Sequence, residues 1–222
     1  MVQLSEDDSV PRVDDGSYRH MRLCTQVPNA DKYGKNLLPT YNDLMAKKAA
    51  LKTAQRNWNS ALDTVKLFDT GLDDLLRDVQ GKAQEYDRNH PGSNTAKLIF
   101  PGGNITPIVT MPDAEEPEAA HGLALKIKSL GAEHILYPLA ALIEAAVDKC
   151  KTALLQQTAA TTALGEASTA LAISKLTMVR KYNANYFVAA NDVDKNFAEK
   201  LFPKLDPPKK KKGGTTSPDP TK

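Results

Sequence analysis

The sequence predicts a mainly α-helical protein: a long antiparallel helical hairpin, coiled-coil-like and bundle-forming, with a small β-hairpin insertion and short accessory helices. Three observations carry that expectation. Leu44, Leu51, Trp58, Val65, Leu72, Val79 and Tyr86 stand seven residues apart with no polar exception. A second repeat, Leu136, Ile143, Cys150, Gln157, Leu164, Leu171 and Met178, has one polar member. The two segments are also nearly equal in length, as an antiparallel pair needs. A seven-residue period keeps one apolar stripe turned toward a partner helix.

In chain order, residues 1–38 read as an extended N-terminal arm with an acidic start. Pro11, Gly16, Pro28 and Gly34 interrupt them, and residues 1–16 carry Glu6, Asp7, Asp8, Asp14 and Asp15 against Arg12. The first long helix is expected over about 40–90. Thr40 after Pro39 suits an N-cap, and Pro91-Gly92 stops the helix. Residues 96–111 read as the β-hairpin. Two apolar runs, 96–100 and 105–109, flank Pro101-Gly102-Gly103-Asn104, and Pro107 must lie at an edge. A short helix is expected over about 117–130 with Leu123, Ile127 and Leu130 on its apolar face. The second long helix should run over about 138–190, followed by a C-terminal helix over about 192–202. Residues 203–222, with Pro207-Pro208 and Lys209–Lys212, read as a disordered Lys/Pro-rich tail.

Matching the centres of the two long helices sets Val65 opposite Leu164, Phe68 near Thr161 and Val79 near Cys150. Leu62, Leu67 and Leu76 are then left over as apolar surface on the first helix. Either the accessory elements or a second copy of the chain must cover them. Self-association is therefore the expected partnership, with Trp58, Phe68 and Leu72 as anchors. Tyr182 and Tyr186, beside Arg180 and Lys181, form a second candidate contact cluster, weighed against packing onto the N-terminal arm.

The chemistry-bearing residues are sparse. Glu118-Ala119-Ala120-His121 has the Glu-x-x-His spacing of carboxylate-bridged metal bundles, but no second such motif exists, and His134 does not complete the spacing. A solvated helix face explains Glu118 and His121 as well, so no metal, cofactor or catalytic residue is expected and the protein reads as non-enzymatic. Gly102-Gly103 does not open a helix in the manner of a phosphate loop. Cys24 and Cys150 do not suggest a disulfide framework.

The formal net charge is +2, which selects no partner. Lys209, Lys210, Lys211 and Lys212 are suited to an acidic protein or a phosphate-rich partner. Without aromatic interleaving they do not indicate sequence-specific nucleic-acid recognition. No apolar leader or membrane-length apolar run is seen, so a cytoplasmic location is the expectation. Two alternatives compete with the assembly reading. One is a membrane-active protein using the apolar segment 98–111. The other is a metal-binding bundle.

Overall fold

In a computed structural model the structure describes residues 4–203 and 205. Seven α-helices are present among the described residues. They are α1 (Val10–Gln26), α2 (Asp31–Asn89), α3 (Thr95–Ile99), α4 (Thr106–Val109), α5 (Glu116–Ser129), α6 (Tyr137–Asp192) and α7 (Lys195–Leu201). A 3-10 turn, Pro101–Gly103, lies between α3 and α4. The chain divides into two compact units. One holds the residues up to Ala50 with those from Ser168 on; the other is Leu51–Ala167. The long helices α2 and α6 contribute to both, and every position of the two seven-residue repeats is buried or half-buried.

In the first unit, the start of α2 runs antiparallel to the end of α6. Lys32 and Tyr33 both reach Asp192 (2.5 and 3.0 Å), Asn36 donates to Asn185 (3.2 Å), and Ser174 donates to Asp43 (2.6 Å). The expected extended arm is a helix instead. Val13, Gly16, Ser17, His20 and Cys24 are buried at helical spacing along α1, with Pro11 in its first turn. The stripe escapes an apolar count because three of its five members are small or polar. Residues before α1 are also tied down: Asn183 donates to the Leu4 carbonyl (2.8 Å), and Lys175 donates to the carbonyls of Glu6 and Asp8 (2.6 and 3.1 Å).

Helix α2 starts at Asp31, not near residue 40, and Pro39 lies inside it. An interior proline costs about 3 kcal/mol. Tyr33, Leu37 and Leu44 are each buried at helical spacing on the same segment. At about 2 kcal/mol for each large apolar side chain, their burial outweighs the proline. The turn before the helix places Asn29 at φ 64°, a left-handed conformation that asparagine tolerates.

In the second unit, α2 and α6 again run antiparallel. Leu72 and Cys150 border one small cavity, and Phe68 and Ala146 border another. Cys150 therefore meets Leu72 rather than Val79, one heptad away from the centre-matched expectation. The earlier start of α2 moves its centre toward the N-terminus and shifts the register in that direction.

No strand occurs among the described residues, so the β-hairpin expected over 96–111 is replaced by α3, the 3-10 turn and α4. Two physical causes act. Asp87 on α2 accepts hydrogen bonds from the Thr95 and Ala96 amides (2.8 and 3.0 Å) and the Ser93 hydroxyl (2.6 Å), which caps the first turn of α3 from outside. Pro107 stands in the first turn of α4, where its missing N–H costs nothing. Ile99, Phe100, Ile105 and Ile108 then point into one core with Leu76, Val79, Leu123, Ile127, Leu136 and Ile143.

Candidate functional site

The second unit presents two different sides of its α2/α6 pair. On one side, α5 and the residues before it close over Val65, Asp69 and Leu72 of α2 and Cys150 and Leu154 of α6. The other side carries two concavities of about 160 and 310 Å³, lined only by α2 and α6 among the described residues. Asn57, the Ser60-Ala61 pair, Thr64, Phe68 and Gly71 follow one another at three- or four-residue steps along the α2 wall. Ala146, Lys149, Gln156 and Ala160 share one face of α6, at gaps of three, seven and four residues. Leu142, four residues before Ala146 on α6, is 54% exposed, and Leu67, next to Phe68 on α2, is 67% exposed. Small residues at Ala61, Gly71, Ala146 and Ala160 make this side a shallow groove about 20 Å long between residues 57 and 71.

The groove sorts the residues singled out from sequence. Phe68 is half-buried in its wall, and its chain neighbour Leu67 is exposed. Trp58 and Leu62 are half-buried on the two-helix stretch beside it. Leu72 and Leu76 are fully packed in the core, so Leu76 is covered by the accessory helices and offers no free surface. Leu142 and Gly71 were missed. Their signal is the three-and-four spacing on the flank of the heptad stripe.

Tyr182 and Tyr186 are buried in the first unit. Both rings meet Phe202 edge-on, with centroids 5.0 and 5.4 Å away, and Tyr182 also meets His20. They are core residues there. Lys209–Lys212 lie outside the described residues. The acidic side chains near the N-terminus have partners in the chain: Glu6 with Arg180 (3.1 Å), Asp8 with Arg12 (2.8 Å) and Asp14 with Lys48 (2.8 Å).

The metal-ligand candidates do not converge. Glu118 pairs with Lys151 at 2.8 Å, which holds its carboxyl below the usual range. The His134 ring accepts from the Leu136 amide (3.2 Å) and lies 4.5 Å from Tyr86, which stacks on His90. Among the described residues no three His, Cys, Asp or Glu side chains gather in a way that suits a metal ion. None of the described helices is long and apolar enough to cross a membrane. The apolar side chains of segment 98–111 mostly face the core, with Leu98 and Met111 as the exposed exceptions.

One ionisable cluster was not anticipated. Glu116, the first residue of α5, is 2% exposed beside Asp69 and Asp73 of α2. Burial, then the Asp73 and Asp69 charges, push its carboxyl up to about 8. A perturbed acid beside a cavity is a common sign of catalysis. Here the cavity measures about 10 Å³, room for at most one water.

The fold defines the class: a helical-hairpin protein, mainly α, whose long helices run antiparallel in each of its two units. Comparison of the chain with family models, with curated proteins and with solved structures gives no match.

Proposed function

We propose that the chain is a non-enzymatic assembly protein whose helical hairpin pairs with a second copy through the open side of α2 and α6 in the second unit. The observation that carries this reading is the groove itself. Among the described residues only α2 and α6 line it, with Phe68 and small residues in its walls, and Leu67 and Leu142 are exposed on the same two helices. Apolar side chains at those exposures cost little singly, and beside a groove of small residues they favour a contact surface.

Charge favours a copy of the same chain as the occupant. Lys149 lies on the α6 wall at the height of Gly71 on α2, and Asp74 stands one turn beyond Gly71. A two-fold axis parallel to the helices sets the second copy's α2 over α6 at that same height. Lys149 of each copy then meets Asp74 of the other. The result is the four-helix, coiled-coil-like arrangement that two hairpins commonly adopt.

Sedimentation equilibrium on the full chain tests the proposal. A mass twice the 24.2 kDa of one chain is expected, falling to one chain in Leu142→Glu without loss of helical signal. A single-chain mass across the micromolar range overturns it. So does a dimer that Leu142→Glu and Leu67→Asp both leave intact.

A further inference from the structure

The side of the second unit opposite the groove holds an arrangement that packing alone does not require. Glu116 Oε1 and Asp73 Oδ1 are both buried, and neither has a hydrogen-bond donor from any other described group. Two facing acceptors without a donor repel each other and lose their hydration together, at a cost of several kcal/mol if both carry charge. A proton on the cluster removes that conflict, because a protonated carboxyl becomes a donor. On Glu116 that proton would point toward Asp69 and Asp73, the two carboxylates whose charges raise it.

We propose that Glu116, Asp69 and Asp73 form a proton-held latch that closes the first turn of α5 onto α2 and releases it when the proton leaves. The groups facing Glu116 from each neighbouring element support one direction of response. From α2 come Asp69 and Asp73, and the Arg77 guanidinium on the far oxygen of Asp73 (3.1 Å) leaves the inner oxygen unpaired. From the segment before α5 comes Asp113, which lines the same cavity and raises the Asp69 carboxyl further. From α6 comes the Cys150 thiol, pushed up to about 11 by burial and then by the Glu116 and Asp69 charges. Lys151 is committed to Glu118. No cation reaches into the cavity among the described residues, so its ionisable neighbours disfavour a charged Glu116.

Release has a structural consequence. Loss of the proton to solvent base leaves three adjacent carboxylates beneath a helix whose Ala120, Leu123, Ala124 and Ile127 wall the core. The repulsion falls on the first turn of α5, where Glu116 and Pro117 are themselves buried. Water entering there reaches Cys150, which borders the same cavity. The latch is therefore closed at neutral and acid pH and opens in mildly alkaline solution. It acts in the unit that carries the assembly groove, on the opposite side of the same helix pair.

The test uses the full chain. Carboxyl-carbon NMR follows every Glu through a pH titration. One resonance is expected to titrate near 8, to be absent from Glu116→Gln, and to move lower in Asp69→Asn. Cys150 labelling is then measured in a Cys24→Ala background, corrected for thiolate fraction with the unfolded chain. Between pH 6.5 and 9.5 the corrected rate should rise roughly tenfold, and in the added Glu116→Gln variant it should stay flat. Glu carboxyls that all titrate below pH 6 overturn the latch. A labelling profile unchanged by Glu116→Gln overturns it too. The wild-type titration needs no variant to fold.

Discussion

The side-chain amide of Asn185 on α6 donates to Nε2 of His20 on α1 at 3.0 Å, while Nδ1 of the same ring donates to the Leu201 carbonyl at 2.9 Å. One ring nitrogen thus accepts and the other donates, an arrangement that only the neutral imidazole satisfies. The amide also reaches the Tyr33 carbonyl (2.8 Å), and the ring stacks on Phe202 at 4.1 Å. Two side chains therefore tie α1, α2, α6 and the end of α7 into one polar knot inside an apolar core.

Acid should loosen that knot. Burial lowers the His20 pKa from 6.5 to about 4, against the smaller opposing effect of its bond to Leu201. The unfolded chain then takes up the proton more readily than the folded one. The contribution is fully present above pH 6.5 and is lost progressively as pH falls toward 4, by about 3 kcal/mol. Urea titrations of the first unit, read by near-ultraviolet tyrosine signals, should show this decline. His20→Gln should flatten it, and an unchanged acid limb in that variant would count against the assignment.

The second unit should respond with the opposite sign. Glu116 binds its proton more tightly folded than unfolded, its pKa rising from 4.5 to about 8. Its favourable share is fully present below pH 4.5 and is lost as pH rises through 8. Trp58, the chain's single tryptophan, lies in this unit and reports on it by fluorescence. The denaturation midpoint should fall with pH over that window and hold steady in Glu116→Gln.

Asp87 should prove to be the residue that keeps segment 95–99 helical. Burial alone raises its carboxyl, yet bonds from Ser93, Ala96 and Thr95 overcome that and hold it at about 2. Its contribution is present above pH 3.8 and is lost as pH falls through 2. Asp87→Ala should cost about 2 kcal/mol through the lost cap and unpaired amides. Exchange of the Thr95 and Ala96 amides, slow in the parent and fast in the variant, is the direct readout.

Two glycines inside α2 should give opposite results on mutation to alanine. A Cβ at Gly81 meets nothing within 4 Å, so Gly81→Ala should stabilise by roughly 0.8 kcal/mol through helix propensity. A Cβ at Gly34 would stand 3.0 Å from the Cβ of Cys24, an atom that cannot swing aside. Gly34→Ala should destabilise by about 1–2 kcal/mol by forcing α1 off α2. Thermal midpoints of the two variants moving in the same direction would refute the packing argument.

Leu72 and Leu67 separate folding from assembly. Leu72 is 1% exposed, and Leu72→Ala should cost about 3 kcal/mol through the cavity it leaves. Leu67→Ala should change stability of the single chain by less than about 0.5 kcal/mol and act on the oligomer instead. Denaturation curves taken at low and high protein concentration distinguish the two effects.

Much of the helical framework was legible because its signal repeats locally. Every member of the two seven-residue repeats is buried or half-buried, which needs no knowledge of distant residues. Residues 96–111 misled because an apolar run around Pro-Gly-Gly looks the same for a hairpin as for two short helices. The cap that decides between them comes from Asp87, on another element. Helix α1 was hidden for a related reason. Its inward stripe includes Ser17 and His20, polar groups that can be buried only where partners await them, and the His20 partner at Leu201 lies 181 residues away.

The periodicity of the chain therefore determined its two long helices and the stripe each buries, since both follow from 3.6 residues per turn and the cost of wetting apolar side chains. Tertiary structure decided the register, the conversion of arm and insertion to helix, the neutral His20 and the burial of Glu116. Each of these depends on which groups distant in sequence lose water together, and a buried polar atom is tolerated only when its partner is already in place.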